Sequence, residues 1–129
     1  ISMTPDEIQN ILDHSYPLIK AYFGKGKLDY PKIDTSHNNT YAMHSGEPEA
    51  EGEHSSTSIA EYHMGTIYLY LPNITNEEEL LRALVHEYTH YTQDSKLFAK
   101  YRGMYNYDED PTEIEAHKNE EKWQLFSRK

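Results

Sequence analysis

The chain has 129 residues, 36% of them hydrophobic, no cysteine, and a formal net charge of -10 from 12 basic and 22 acidic side chains. That length holds one domain, residues 1–129, and leaves no room for a second core. The acidic balance argues against nucleic acid or an anionic membrane as partner, and the lack of thiols excludes a disulfide scaffold, a thiolate metal site and a cysteine nucleophile.

Thr4-Pro5-Asp6-Glu7 opens the first expected helix, with Thr4 as cap, Pro5 at the first helical position and Glu7 completing a capping box. Ile8, Ile11, Leu12 and Tyr16 then recur at helical spacing, and Pro17 is expected to end or kink the helix. Gly24-Lys25-Gly26-Lys27 reads as a solvated connector. It has no strand before it and no helix start after it, as a phosphate-binding loop would require. Within the weakly patterned residues 28–56, Thr40 to His44 is expected as a short strand and Glu47 to Glu53 as an exposed acidic loop.

Residues 57–63 and 66–71 read as two strands joined at Met64-Gly65 in an antiparallel hairpin. The second alternates Ile67, Leu69 and Leu71 against Tyr68 and Tyr70, the period of a half-buried strand. Pro72-Asn73 stops it. Thr75 or Asn76 then caps a long helix, expected to run to about Tyr101, whose early Glu77, Glu78 and Glu79 suit the positive end of the helix dipole. After Gly103 comes a loop with Tyr105 and Tyr107, and Asp110-Pro111-Thr112-Glu113 opens a last helix toward Trp123. The expected class is α+β. No apolar run approaches the roughly 18 residues of a membrane span. Ile1-Ser2-Met3-Thr4 lacks the charged and apolar regions of a signal peptide, so localisation stays open.

The segment that carries chemistry is His86-Glu87-Tyr88-Thr89-His90. Residues four apart on a helix lie nearly above one another, so both imidazoles can meet one zinc ion (Zn2+) at about 2.0–2.1 Å. Glu87 sits one step round: too far to be a ligand, but placed to reach a water on the metal as general base. Leu81, Leu84, Val85 and Tyr88 occupy a different arc, so the helix has a core face that does not need the histidines. A catalytic zinc site needs a third protein ligand and one open position. Asp94, Asp108, Glu109, Asp110, Glu113, Glu115 and His117 are the candidates downstream. Glu113, His117 and Glu120 share one face of the last helix, which favours Glu113 as ligand and keeps Glu115 in reserve.

With His-Glu-Tyr-Thr-His followed by Pro-Thr-Glu-Ile-Glu-Ala on a second helix, residues 57–123 resemble a minimal gluzincin, an HExxH zincin metallopeptidase. The resemblance implies a zincin-like fold: a small antiparallel sheet packed on an active-site helix, with an N-terminal helix and a C-terminal glutamate helix. In that family an acid or amide commonly follows the ligand glutamate by four residues and supports a zinc histidine. Here that place is His117 for Glu113 and Asn119 for Glu115. The resemblance also implies that an extended peptide or protein substrate pairs with the strand before the hairpin turn, by position Ser58 to Tyr62, where an edge supplies main-chain hydrogen bonds. The expected activity is hydrolysis of peptide bonds with Glu87 taking a proton from the attacking water. A Tyr or His would stabilise the oxyanion, with Tyr105 the first choice and Tyr107 and His63 behind it. The alternative reading is a non-catalytic, zinc-stabilised protein-binding module, against which the intact Glu87 speaks. Acids at Glu47, Glu49, Glu51, Glu53 and Glu61 would favour basic or neutral peptides. Oligomeric state is not legible.

Overall fold

The computed structural model describes residues 3–46 and 57–128. The fold is α+β, with five helices and a three-stranded sheet among these residues. Helix α1 (Pro5–Phe23) starts as its capping box requires: the Glu7 N–H donates to the Thr4 hydroxyl at 3.2 Å, and the Glu7 carboxylate accepts from the Thr4 N–H at 3.2 Å. It buries Ile8, Ile11, Leu12, Ser15 and Ile19. Of the expected end or kink at Pro17, the end does not occur: the helix runs through it, with the ring on the exposed side, and ends at Gly24 (φ 84°).

Three strands follow. Strand β1 (Lys32–Asp34) pairs parallel with β3 (Thr66–Leu69), and β2 (Ala60–His63) pairs antiparallel with β3, giving the order β1-β3-β2. The sheet is therefore mixed rather than antiparallel, and β2 is shorter than the expected 57–63. The hairpin turn at Met64-Gly65 has both central residues at positive φ, 48° and 89°, the backbone of a two-residue I′-type turn that matches strand twist. Thr40 to His44 is not a strand but most of α2 (Thr40–Ser45). Asn39 caps it, accepting from the Ala42 N–H at 2.8 Å, and Gly46 closes it in the left-handed region. The acidic residues 47–53 fall in the segment outside the described residues.

The expected single helix over 76–101 is two. Helix α3 (Glu77–Thr92) is capped by Asn76, whose side chain accepts from the Glu79 N–H at 2.8 Å. Helix α4 (Ser95–Met104) begins afresh because the Asp94 carboxylate accepts from the N–H groups of Lys96 and Leu97, while Gln93 between them is extended. Helix α5 (Pro111–Glu120), capped by the buried Asp110, packs against α3, and a 3-10 turn over Glu121–Phe126 ends the described chain.

The core lies between α1, α3 and the sheet. Leu80, Leu81, Leu84, Val85 and Tyr88 of α3 meet Ile8, Ile11 and Ile19 of α1, Ile67 and Leu69 of β3, and Phe126. Each fully buried aliphatic contributes about 1.5–3 kcal/mol. The tyrosines supplement this core with polar ends. Tyr16, Tyr88 and Tyr91 donate their hydroxyls to the carbonyls of Pro31, Gly24 and Leu28 at 2.5, 2.5 and 2.6 Å. The Gly26 N–H donates to the Tyr91 hydroxyl, and a Cβ at Gly26 would meet the Tyr91 backbone oxygen at 3.3 Å. The 24–31 connector is thus strapped to the helix that carries His86 and His90.

Candidate metal centre

Helix α3 sends its apolar arc into the core and its histidines to the other side, toward α5. Both histidines are nevertheless buried, at 8% and 7% exposure, as is Glu113 at 3%. His86 Nε2 lies 2.9 Å and His90 Nε2 3.2 Å from one atom, Glu113 Oε1. The three donor atoms all fall within 4.8 Å of one another. Ligands at about 2.0–2.1 Å in tetrahedral array stand roughly 3.4 Å apart, so the three donors need only a slight outward shift to hold one ion.

Hydrogen bonding dictates which ring nitrogens face inward. The Gln93 amide N–H₂ donates to the Thr112 carbonyl at 2.8 Å and to Glu115 at 2.9 Å, which turns its oxygen to His90 Nδ1, 2.8 Å away. His90 Nδ1 must therefore carry a proton. His86 Nδ1 faces the Glu120 carboxylate at 2.6 Å and donates to it. With both Nδ1 atoms protonated, the neutral rings present two bare Nε2 lone pairs beside a carboxylate oxygen. Three acceptors converging on one point call for a cation or for added protons. The remaining oxygen of Glu113 accepts from Arg102 Nη2 at 2.7 Å, leaving Oε1 as a single-point donor. Arg102 is held over the Phe98 ring at 4.5 Å, and Phe98 stands edge-on to His90 at 5.1 Å, so α4 closes one side of the cluster.

These contacts set the protonation of the cluster without metal. Burial pulls His86 down, but its hydrogen bonds to Glu113 and Glu120 outweigh this and raise it from 6.5 to about 9. Burial pushes Glu113 up, yet the two histidines hold it well below the ordinary carboxylate range. A proton on His86 thus stands in for the cation. Glu87 is raised from 4.5 to about 7, chiefly by burial, against the pull of both histidines. Its Oε1 accepts the backbone N–H of Tyr62 at 2.8 Å, which ties the helix to strand β2.

The cluster opens on a cleft of about 410 Å³ bordered by β2, Phe98, Arg102 and Tyr107. Strand β2 is at the sheet edge. Because the Tyr62 N–H points away from β3, the alternation of an antiparallel pair also turns Ala60 toward the open edge. A second cavity of about 550 Å³ adjoins the cleft beyond His90, walled by Leu28, Tyr62, Met64, Tyr91 and Phe98.

Of the residues expected at the site, His86, Glu87, His90 and Glu113 come together. Glu115 is exposed and meets Gln93 instead, and Asp94 caps α4 and pairs with Lys27 at 3.6 Å. Tyr105 does not join them. It is 41% exposed at the end of α4, its ring against Tyr101, because α4 turns away before the 3-10 turn Tyr107–Glu109 re-aims the chain. Tyr107 borders the cleft in its place, with its hydroxyl 2.8 Å from His117 Nε2. Asn119 faces the Thr89 hydroxyl rather than either histidine, and the support for His86 comes from Glu120, seven residues after Glu113. The roles of Gln93, Arg102 and Glu120 are not legible in the sequence. Glu120 alone left a signal, by sharing the helix face of Glu113. No protein family, curated protein or solved structure matches the chain in comparison.

Proposed function

We propose that this chain is a zinc-dependent peptidase with a zincin-like fold of the minimal gluzincin kind. His86, His90 and Glu113 would hold the ion. The observation that carries this reading is the convergence of two imidazole Nε2 atoms on Glu113 Oε1, with every outer atom of the three already engaged by Gln93, Glu120 or Arg102. Zinc so bound supplies Lewis-acid activation of water and polarisation of the scissile carbonyl.

The chain's own residues do the rest. Glu87, fixed at one oxygen by the Tyr62 N–H, takes a proton from the attacking water and hands it to the leaving amine. Burial keeps it basic enough for both transfers, and a cation beside it ensures that it starts ionised. The extended substrate pairs with the open edge of β2 through the main chain of Ala60 and the carbonyl of Tyr62, whose N–H stays on Glu87, and this lays the peptide across the cleft. The Tyr107 hydroxyl, turned from His117 toward the cleft, donates to the oxyanion. Burial and the nearby carboxylates of Glu113, Glu87 and Glu120 raise its pKa, so it keeps its proton at neutral pH. The cavity beyond His90 takes a large apolar side chain next to the scissile bond.

Cleavage of a peptide library after chelation, and again after adding back one equivalent of zinc, tests the reading. Cleavage lost on chelation, restored by zinc and concentrated at bonds beside Leu, Phe or Met is the expected outcome. Cleavage insensitive to chelation would refute it.

A further inference from the structure

The sheet has a second face. Ala60 and Tyr62 of β2 stand opposite Leu69 and Ile67 on the core side, so Glu61 and His63, opposite Tyr68 and Thr66, project from the other. Helix α2 brings His44 to that face, where its Nε2 lies 2.7 Å from Glu61 Oε2. The His44 and His63 rings stand edge to face, 5.0 Å between centroids. One donor atom from each of His44, Glu61 and His63 falls within 4.8 Å of the others.

The group has a supporting shell. The hydroxyl of the fully buried Tyr70 donates to Glu61 Oε1 at 3.1 Å, which leaves Oε2 toward His44. Glu113 divides its two oxygens in the same way between Arg102 and the histidines. Asn39 and Gly46 fix both ends of α2 and so fix the position of His44. An ordinary ion pair between His44 and Glu61 would leave the third donor unused. Two imidazoles and a carboxylate form the nitrogen and oxygen set that suits zinc, with room for water at a fourth position.

We propose that His44, Glu61 and His63 bind a second zinc ion, independently of the one assigned to His86, His90 and Glu113. This ion fastens α2 to the edge strand. Tyr62, between two of its ligands, gives its N–H to Glu87, so occupancy steadies the strand that borders the cleft. His44 is exposed and Glu61 and His63 are only half-buried, so this ion binds more weakly than the one in the buried cluster.

The experiment titrates the metal-stripped full chain with zinc alone. Bound metal is counted by equilibrium dialysis, and the histidine ring resonances are followed by NMR. Two equivalents are expected, the weaker one moving the His44 and His63 resonances. Glu61→Gln and His63→Gln should each lose the weaker equivalent and keep the tighter, while Glu113→Ala should lose the tighter and keep the weaker. A single equivalent in the parent overturns the proposal, as does a second equivalent that leaves both rings unmoved or survives both substitutions. The parent's ring resonances decide the assignment without reliance on any variant folding.

Discussion

Glu120 is not a ligand of the proposed ion, yet its removal has a calculable cost. Its Oε2 accepts from His86 Nδ1 at 2.6 Å and lies 3.0 Å from His117 Nδ1, and its side chain is 19% exposed. A carboxylate at that distance holds the ring so that Nε2 faces Glu113, and it makes Nε2 a stronger donor. Glu120→Ala loses the orientation and the charge together. Supports of this kind are worth about 10–100-fold in metal affinity, or roughly 1.4–2.7 kcal/mol. Glu120→Gln keeps an oxygen acceptor and should fall near the lower end. Glu115→Ala is the control: it lies on the same helix and gives up only its contact with the Gln93 amide, so it should change affinity by less than about threefold. Competition for zinc against a chromophoric chelator, on variants matched for far-UV circular dichroism, measures all three. Affinity for Glu120→Ala within twofold of the parent would refute the assignment of His86 Nε2 as the metal-facing atom.

Glu113→Ala should lose the tighter zinc by at least about a hundredfold, because it removes a ligand outright, while Glu115→Ala keeps it; dialysis followed by metal counting checks both. Met64 sits at φ 48° and is 87% exposed, so Met64→Asn should relieve strain and stabilise the fold by up to about 1 kcal/mol in urea titration; a loss would argue against the I′-type turn. Burial works to raise the Glu77 carboxyl, but hydrogen bonds from the Arg128 N–H, the Ser127 hydroxyl and the Arg128 side chain lower it below 4.5. Its contribution is therefore present above pH 4.5 and lost as pH falls through the lowered value. The melting-temperature gap between parent and Glu77→Gln should be widest at neutral pH and close on acidification; a gap that widens with acid would contradict the sign. Zinc binding must displace the proton on His86, so affinity should fall and proton release per zinc should rise as pH drops below the His86 value of about 9, measurable by calorimetry in buffers of different ionisation enthalpy.

The helix period made the inner part of the site legible. His86 and His90 are four apart, the buried Leu81, Leu84, Val85 and Tyr88 mark the opposite arc, and the shared face of Glu113, His117 and Glu120 picked Glu113 over Glu115. The outer partners were not legible, because they depend on where separate elements meet. Gln93 reaches His90 only because the chain breaks there, and the break comes from Asp94 capping a new helix within what reads as one continuous periodic run. Residues 40–44 read as a strand from Thr40 and Tyr41, but the caps Asn39 and Gly46 stand six positions of helix apart, and end chemistry outweighed propensity. Strand β1 is three residues long, too short for alternation to show, and it exists because β3 offers it a parallel edge. The sequence ranks Tyr105 ahead of Tyr107, yet a single 3-10 turn brings Tyr107 and not Tyr105 to the cleft.

Glu87 divides a peptidase from a protein that merely holds zinc, since no ligand role depends on it. Glu87→Gln preserves the shape and leaves an oxygen to accept the Tyr62 N–H, but an amide does not take up a proton at neutral pH. Zinc content and peptide cleavage measured side by side on the parent and this variant separate the two. Unchanged zinc with cleavage reduced by at least about a hundredfold is the expected result. Equal cleavage by the two proteins at equal zinc content would contradict it.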